Sequence, residues 1–140
     1  DLDVTVQAQV LALLDDLRRE RNVALIFITH DFGVVSQLCD RVAVMYAGRI
    51  VETGRTGDVL ASPHHPYTKR LIACVPELGG GQRELSAIPG LPPPVDDLPN
   101  GCSFAPRCDK ANERCSSGAI ELTGVGERAV RCLFPEGELA

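Results

Sequence analysis

Four cysteines fall in the last third of this chain with the spacing Cys102-x5-Cys108-x6-Cys115-x16-Cys132. Four thiolates can hold a 4Fe–4S cluster or a zinc ion, and four thiols can also pair as two disulfides. The spacing is not that of a ferredoxin, and it lacks the C-x2-C knuckles usual at zinc sites. Gly101, Pro106 and Gly118 supply the turns that a chain wrapping a metal centre needs. Arg107, Arg114 and Arg131 each directly precede a cysteine, where positive charge offsets an anionic centre. Cys39 and Cys74 lie in apolar-periodic segments and read as small buried hydrophobes.

A second chemical signal is His30. It ends the apolar run Ala24-Leu25-Ile26-Phe27-Ile28-Thr29, which reads as a strand over Val23–Thr29, buried on both faces as in a parallel sheet. At the carboxyl end of such a strand an imidazole meets ligands of an open α/β sheet, and it can donate to a phosphate oxygen. Asp31 caps the helix that follows. Asp31-Phe32-Gly33 matches the metal-binding triplet of protein kinases, but without a catalytic loop it reads as a helix start. His64 and His65, beside two prolines, read as loop residues, and Arg49 and Glu52 as solvated hairpin positions.

These groups need elements to hold them. Val6, Val10, Leu13, Leu14 and Leu17 share one face of a helix predicted over Val4–Glu20, capped by Asp3 or Thr5 and stopped at Asn22. A shorter helix is expected over Asp31–Cys39, then a strand over Arg41–Ala47, a tight turn at Gly48-Arg49 and a returning strand over Ile50–Thr53 that Gly54 ends. A helix capped by Thr56 and one over Tyr67–Val75, closed by Pro76, follow. Beyond lies a Gly/Pro-rich connector from Gly79 to Gly101, in which Pro92-Pro93-Pro94 is extended. The cysteine-bearing tail has too few apolar residues to build a core unaided. The expected class is α/β: a partial sheet with helices over 1–62, then an irregular Pro/Gly/Cys-rich extension over 63–140.

The chain has 140 residues, 44% of them hydrophobic, and a formal net charge of -5. That charge argues against a nucleic-acid surface driven by bulk electrostatics. No apolar run reaches the length of a membrane helix, and the first residues do not read as a signal peptide. The chain begins Asp-Leu-Asp and not with Met, as a piece of something longer would.

Together these residues resemble a known family. Leu2-Asp3-Val4-Thr5-Val6-Gln7-Ala8-Gln9-Val10 is similar to the segment after the Walker B motif in ATP-binding subunits of ABC transporters, with Leu2-Asp3 as the end of the D-loop. Ile28-Thr29-His30-Asp31 resembles the H-loop, and Asp40–Met45 and Ala47–Gly54 the strands that follow it. His65-Pro66-Tyr67-Thr68 and the later cysteines resemble the C-terminal extension of the oligopeptide/dipeptide importers.

The resemblance implies a partial ABC-ATPase sheet of the P-loop NTPase type. It implies that His30 contacts the γ-phosphate of ATP and that Asp3 lies at the interface with a second ATPase subunit, identical or homologous. It also implies transmembrane permease subunits, an extracytoplasmic peptide-binding protein, and a place on the cytoplasmic face of the membrane. The extension favours a 4Fe–4S cluster on Cys102, Cys108, Cys115 and Cys132, with zinc as the alternative. ATP and magnesium belong to the full-length context. This stretch has no G-x-x-x-x-G-K-S/T loop, no Leu-Ser-Gly-Gly-Gln signature and no Walker B carboxylates. The chain alone is therefore expected neither to bind nor to hydrolyse ATP. The rival reading is a stand-alone iron–sulfur or zinc module without ATPase activity.

Overall fold

The computed structural model describes residues 4–75, 88–94 and 96–137. Asp3, the helix stop at Pro76, and residues 79–87 and 95 of the connector lie outside them. The chain divides into two compact units, Asp1–Cys39 and Asp40–Ala140.

In the first unit, helix α1 spans Val4–Arg21. Asp15 ties its last turns by accepting from Arg18 at 2.9 Å and Arg19 at 2.7 Å. Asn22 stops it as expected, turning left-handed at φ 49° while the Val23 amide returns to the Arg18 carbonyl. Helix α2 spans Phe32–Leu38 and buries Phe32, Val34, Val35 and Leu38. The expected cap is present: the Asp31 carboxylate accepts from the Gly33 amide at 2.8 Å and the Val34 amide at 3.3 Å.

Between these helices the structure departs from expectation. Val23–Thr29 is not a strand, and Ile26 and Ile28 are 89% and 94% exposed. A strand is defined by the ladder it makes with a neighbour. No described residue pairs with this run as a strand, and of its apolar side chains only Phe27 is half-buried.

The second unit is built on a hairpin. Strands β1, Arg41–Tyr46, and β2, Arg49–Arg55, pair antiparallel with Tyr46 opposite Arg49. The turn is Ala47-Gly48, at φ 46° and 76°, one residue earlier than expected. Two successive positive φ values give the backbone twist that joins strands through two residues. The return strand also runs through Gly54 to Arg55, where Gly54 had been expected to end it. Helix α3, Thr56–Ala61, begins with Thr56 inside the helix and not as its cap; the Thr56 amide instead donates to the Asp40 carbonyl at 3.0 Å. Helix α4, Pro66–Ala73, is capped by His65 and has Pro66 in its first turn, where a missing N–H costs nothing.

The tail is more regular than its sequence suggests. A 3-10 turn at Ala105–Arg107 and a short helix α5, Glu113–Ser116, lead to a second hairpin, β3 Thr123–Val125 and β4 Arg128–Val130. The sheet order is β1-β2-β4-β3, every pair antiparallel. The α/β class holds, but the sheet of the described residues is antiparallel where a parallel one was expected. The shortage of apolar residues in the tail is met by sharing. Phe104, fully buried, packs its ring against Tyr46 of β1 at 5.3 Å and Tyr67 of α4 at 5.4 Å between centroids. Val130 of β4 and Val59 of α3 are fully buried as well.

Candidate functional site

The four cysteines of the tail come from four different local structures. Cys102 precedes the 3-10 turn, Cys108 follows it, Cys115 lies in α5 and Cys132 follows β4. All four line a single cavity, whose walls also include Phe104, Ile120 and Phe134. None of the six cysteines is in a disulfide. Among the described residues no three His, Cys, Asp or Glu side chains converge closely enough to share one metal ion. What the four thiols share is the lining of this cavity.

Electrostatics act on these thiols. Burial pushes the Cys132 thiol up to about 11, and charge on Cys102, Cys108 and Cys115 pushes it the same way. Burial likewise raises Cys102, with Cys108 and Cys115 adding to the effect. Burial and neighbouring negative charge thus both disfavour the thiolates of Cys102 and Cys132 unless a cationic centre compensates them. This is the donor chemistry of a metal or iron–sulfur site.

The loops are held by long side chains from the hairpin and α4. Arg49 donates to the Gly101 carbonyl at 3.2 Å, beside Cys102, and Arg70 to the Arg107 carbonyl at 3.0 Å, beside Cys108. Arg131 donates to the carbonyls of Ile50 at 2.9 Å and Ile120 at 2.6 Å, fixing the backbone next to Cys132. Arg107 donates to the Tyr46 hydroxyl at 3.1 Å and the Ile88 carbonyl at 2.8 Å, and the Arg114 guanidinium lies over the Phe134 ring at 5.5 Å. The arginines read from sequence as counter-charges are therefore struts and covers as well. Gly101 permits the closest approach: a Cβ there would stand 2.1 Å from the Cys115 carbonyl oxygen, which accepts the Cys102 amide at 2.8 Å.

Two residues read from sequence as peripheral are central. Glu52 is fully buried, not solvated. Its carboxylate accepts from the amides of His64 at 2.8 Å and His65 at 2.9 Å, and from the Arg128 guanidinium at 3.1 Å. His65 is 1% exposed and also lines the cysteine cavity. Its Nδ1 accepts from the Tyr67 amide at 3.1 Å, capping α4. The His-Pro pair was the available signal, since a capping side chain followed by proline marks a helix start.

His30 is exposed, in the bend just before α2, and not at the end of a paired strand. Asp3 lies outside the described residues. His30 belongs to the first unit and the four cavity-lining cysteines to the second.

The chain was also compared with known proteins. Residues 51–115 match the family described as oligopeptide/dipeptide transporter, C-terminal region. The chain is 47% identical over 138 residues to the oligopeptide transport ATP-binding protein AppD of Bacillus subtilis, covering 98% of this chain and 42% of that protein. It is 47% identical over 139 residues to the probable D,D-dipeptide transport ATP-binding protein DdpD of Escherichia coli, covering 99% and 42%. It is 49% identical over 139 residues to the oligopeptide transport ATP-binding protein OppD of Salmonella typhimurium, covering 99% and 41%. The chain thus spans about two fifths of the length of these relatives. Over nearly its whole length it is similar to ATP-binding proteins of oligopeptide and dipeptide transporters, and residues 51–115 match the C-terminal region of that transporter family.

Proposed function

We propose that this chain is the part of a peptide importer's ATPase that runs from the D-loop onward, with residues 1–62 completing the nucleotide-binding domain and residues 63–140 forming a 4Fe–4S-binding extension. The support for the first part is identity of 47% to 49% over nearly the whole chain to relatives named as peptide-transport ATP-binding proteins. In the complete subunit His30 contacts the γ-phosphate of ATP, and Asp3 faces a second ATPase subunit across the nucleotide. Closure of that pair drives permease subunits in the membrane to pass peptide delivered by an extracytoplasmic binding protein. Among the described residues no helix is long and apolar enough to cross a membrane, which suits a subunit seated on the cytoplasmic face.

The observation that carries the cluster reading is the shared cavity itself. Cys102, Cys108, Cys115 and Cys132 line one cavity without converging on one point. Four thiols lining one cavity are a donor set that would hold a 4Fe–4S cluster, with zinc as the alternative. When bound, the cluster supplies a redox-active centre that also cross-links the loops. The chain's own part is to bring four thiols together from 102 to 132, to exclude water with Phe104, Ile120 and Phe134, and to fix the loops through Arg49, Arg70 and Arg131.

Anaerobic loading with iron and sulfide tests this. The expected product is brown, with broad visible absorbance and four irons per chain set by the cubane's composition. A colourless protein with stoichiometric zinc would replace the cluster by zinc. For the ATPase role, magnesium-ATP titrated into this chain alone is expected to give no heat of binding, while H30A in the complete subunit abolishes hydrolysis. Tight ATP binding by the chain alone would overturn the first expectation, and an active H30A subunit the second.

A further inference from the structure

Cys102 and Cys115 meet backbone to backbone: the Cys102 amide donates to the Cys115 carbonyl at 2.8 Å. The two segments come so close that a Cβ at position 101 would run into that carbonyl. Backbones bonded in this way stand about 5.5 Å apart at Cα. A disulfide bridges Cα atoms about 4.4–6.8 Å apart. Both residues also line the same cavity, and charge on the Cys115 sulfur is felt at the Cys102 sulfur. The other two cysteines are tied elsewhere. The Cys108 amide bonds back to Ala105 within its own turn, and the backbone just before Cys132 bonds to Val51 of β2.

The two thiols differ in access. Cys102 is half-buried and Cys115 is buried. A reagent from solvent therefore meets Cys102 first, with Cys115 behind it to complete the reaction.

We propose that Cys102 and Cys115 are a redox pair that closes as a disulfide when the cavity holds no metal. The oxidant is a low-molecular-weight disulfide, RSSR. The Cys102 thiolate attacks one of its sulfurs, the S–S bond of the reagent breaks, and the first RS⁻ leaves. The Cys115 thiolate then attacks the Cys102 sulfur of this mixed disulfide, and the second RS⁻ leaves. The two protons shed by the protein thiols end on the two RS⁻. The protein thus loses two electrons and the reagent gains them. The pairing stands on the geometry of the reduced chain; its consequence for metal loading rests on the cluster reading above. A bridged chain keeps only Cys108 and Cys132 as thiols in the cavity, so it holds no cluster until a reductant reopens the bridge.

The test treats the reduced, metal-free chain with oxidised glutathione in mildly alkaline buffer, because burial disfavours the Cys102 thiolate. Free thiols are then blocked and the chain is cut with trypsin without reduction. Cleavage after Arg107, Lys110, Arg114, Arg128 and Arg131 puts each of the four cysteines on its own peptide. Mass spectrometry should find residues 84–107 joined to 115–128 as the main cross-link, in C108S and C132S as in the wild type. Bridges chiefly between other cysteines, or glutathione adducts with no bridge, overturn the pair. Uptake of iron and sulfide by the bridged chain should fall by at least half and return after reduction with dithiothreitol. Full uptake by the bridged chain overturns the exclusion of the cluster. A reduced chain that takes up no iron overturns the cluster reading and that consequence with it, while the peptide map still decides the pair.

Discussion

The Glu52 carboxylate accepts the His65 amide at 2.9 Å, across thirteen positions of sequence and in a site sealed from solvent. Its other oxygen takes the His64 amide and the Arg128 guanidinium, so one buried side chain joins β2, the start of α4 and β4. E52A should therefore leave two buried amides without an acceptor and take away the carboxylate partner of the Arg128 guanidinium. Breaking a buried charge pair of this kind costs about 3–5 kcal/mol. Urea unfolding is expected to show a loss in that range, with E52Q milder because it keeps one acceptor oxygen.

Gly101 makes a sharper test of the cysteine loops. G101A puts a methyl group 2.1 Å from the Cys115 carbonyl oxygen, whereas Gly118, in the same region, has no atom within 4 Å of a built Cβ. G101A should separate the Cys102 and Cys115 segments, lower stability by about 1–3 kcal/mol and reduce iron retention. G118A should leave both unchanged, as followed by thermal unfolding and by iron analysis after gel filtration.

The cysteines sort into two sets. Serine at any of Cys102, Cys108, Cys115 or Cys132 removes one thiol from the cavity, and iron retention should fall by at least half. C39S and C74S lie off that cavity and should load as the wild type does. Equal losses across all six would mean that iron binds as loosely held adducts and not in one site.

Acid should loosen the second unit at a defined point. Glu136 accepts from Lys110 at 2.8 Å and Lys69 at 3.1 Å, and the hydrogen bond from Lys110 leads in holding its carboxyl below the usual 4.5. A folded pKa below the unfolded one means that the unfolded chain binds the proton first. The stabilisation is present above about 4.5 and is lost as pH falls through the lowered folded value. Urea midpoints of the metal-free chain between pH 6 and pH 3 should therefore decline, and E136Q should flatten part of that decline.

What sequence reveals here depends on how far apart the partners lie. The Asn22 stop, the Asp31 cap and the first hairpin rest on near neighbours and could be read directly. The four-thiol set was legible by residue type, although not the cavity it lines. Val23–Thr29 has the composition of a strand, but composition says nothing of whether a neighbour is there to pair with it. The hairpin at 123–130 was illegible because three-residue strands carry no period. Glu52 looked like a surface charge because all its partners lie 12 or more residues away.

The pairing of β2 with β4 sets Glu52 against Val130 and Thr53 against Ala129. During synthesis the first hairpin leaves the ribosome long before its neighbour exists, and the edge of β2 that β4 covers waits until residues 128–130 arrive. Such distant pairing slows folding, and an exposed edge invites association with other chains while it waits. The nascent protein therefore has a window of vulnerability that closes when residues 128–130 pair with β2, and removing them would leave the window open for good.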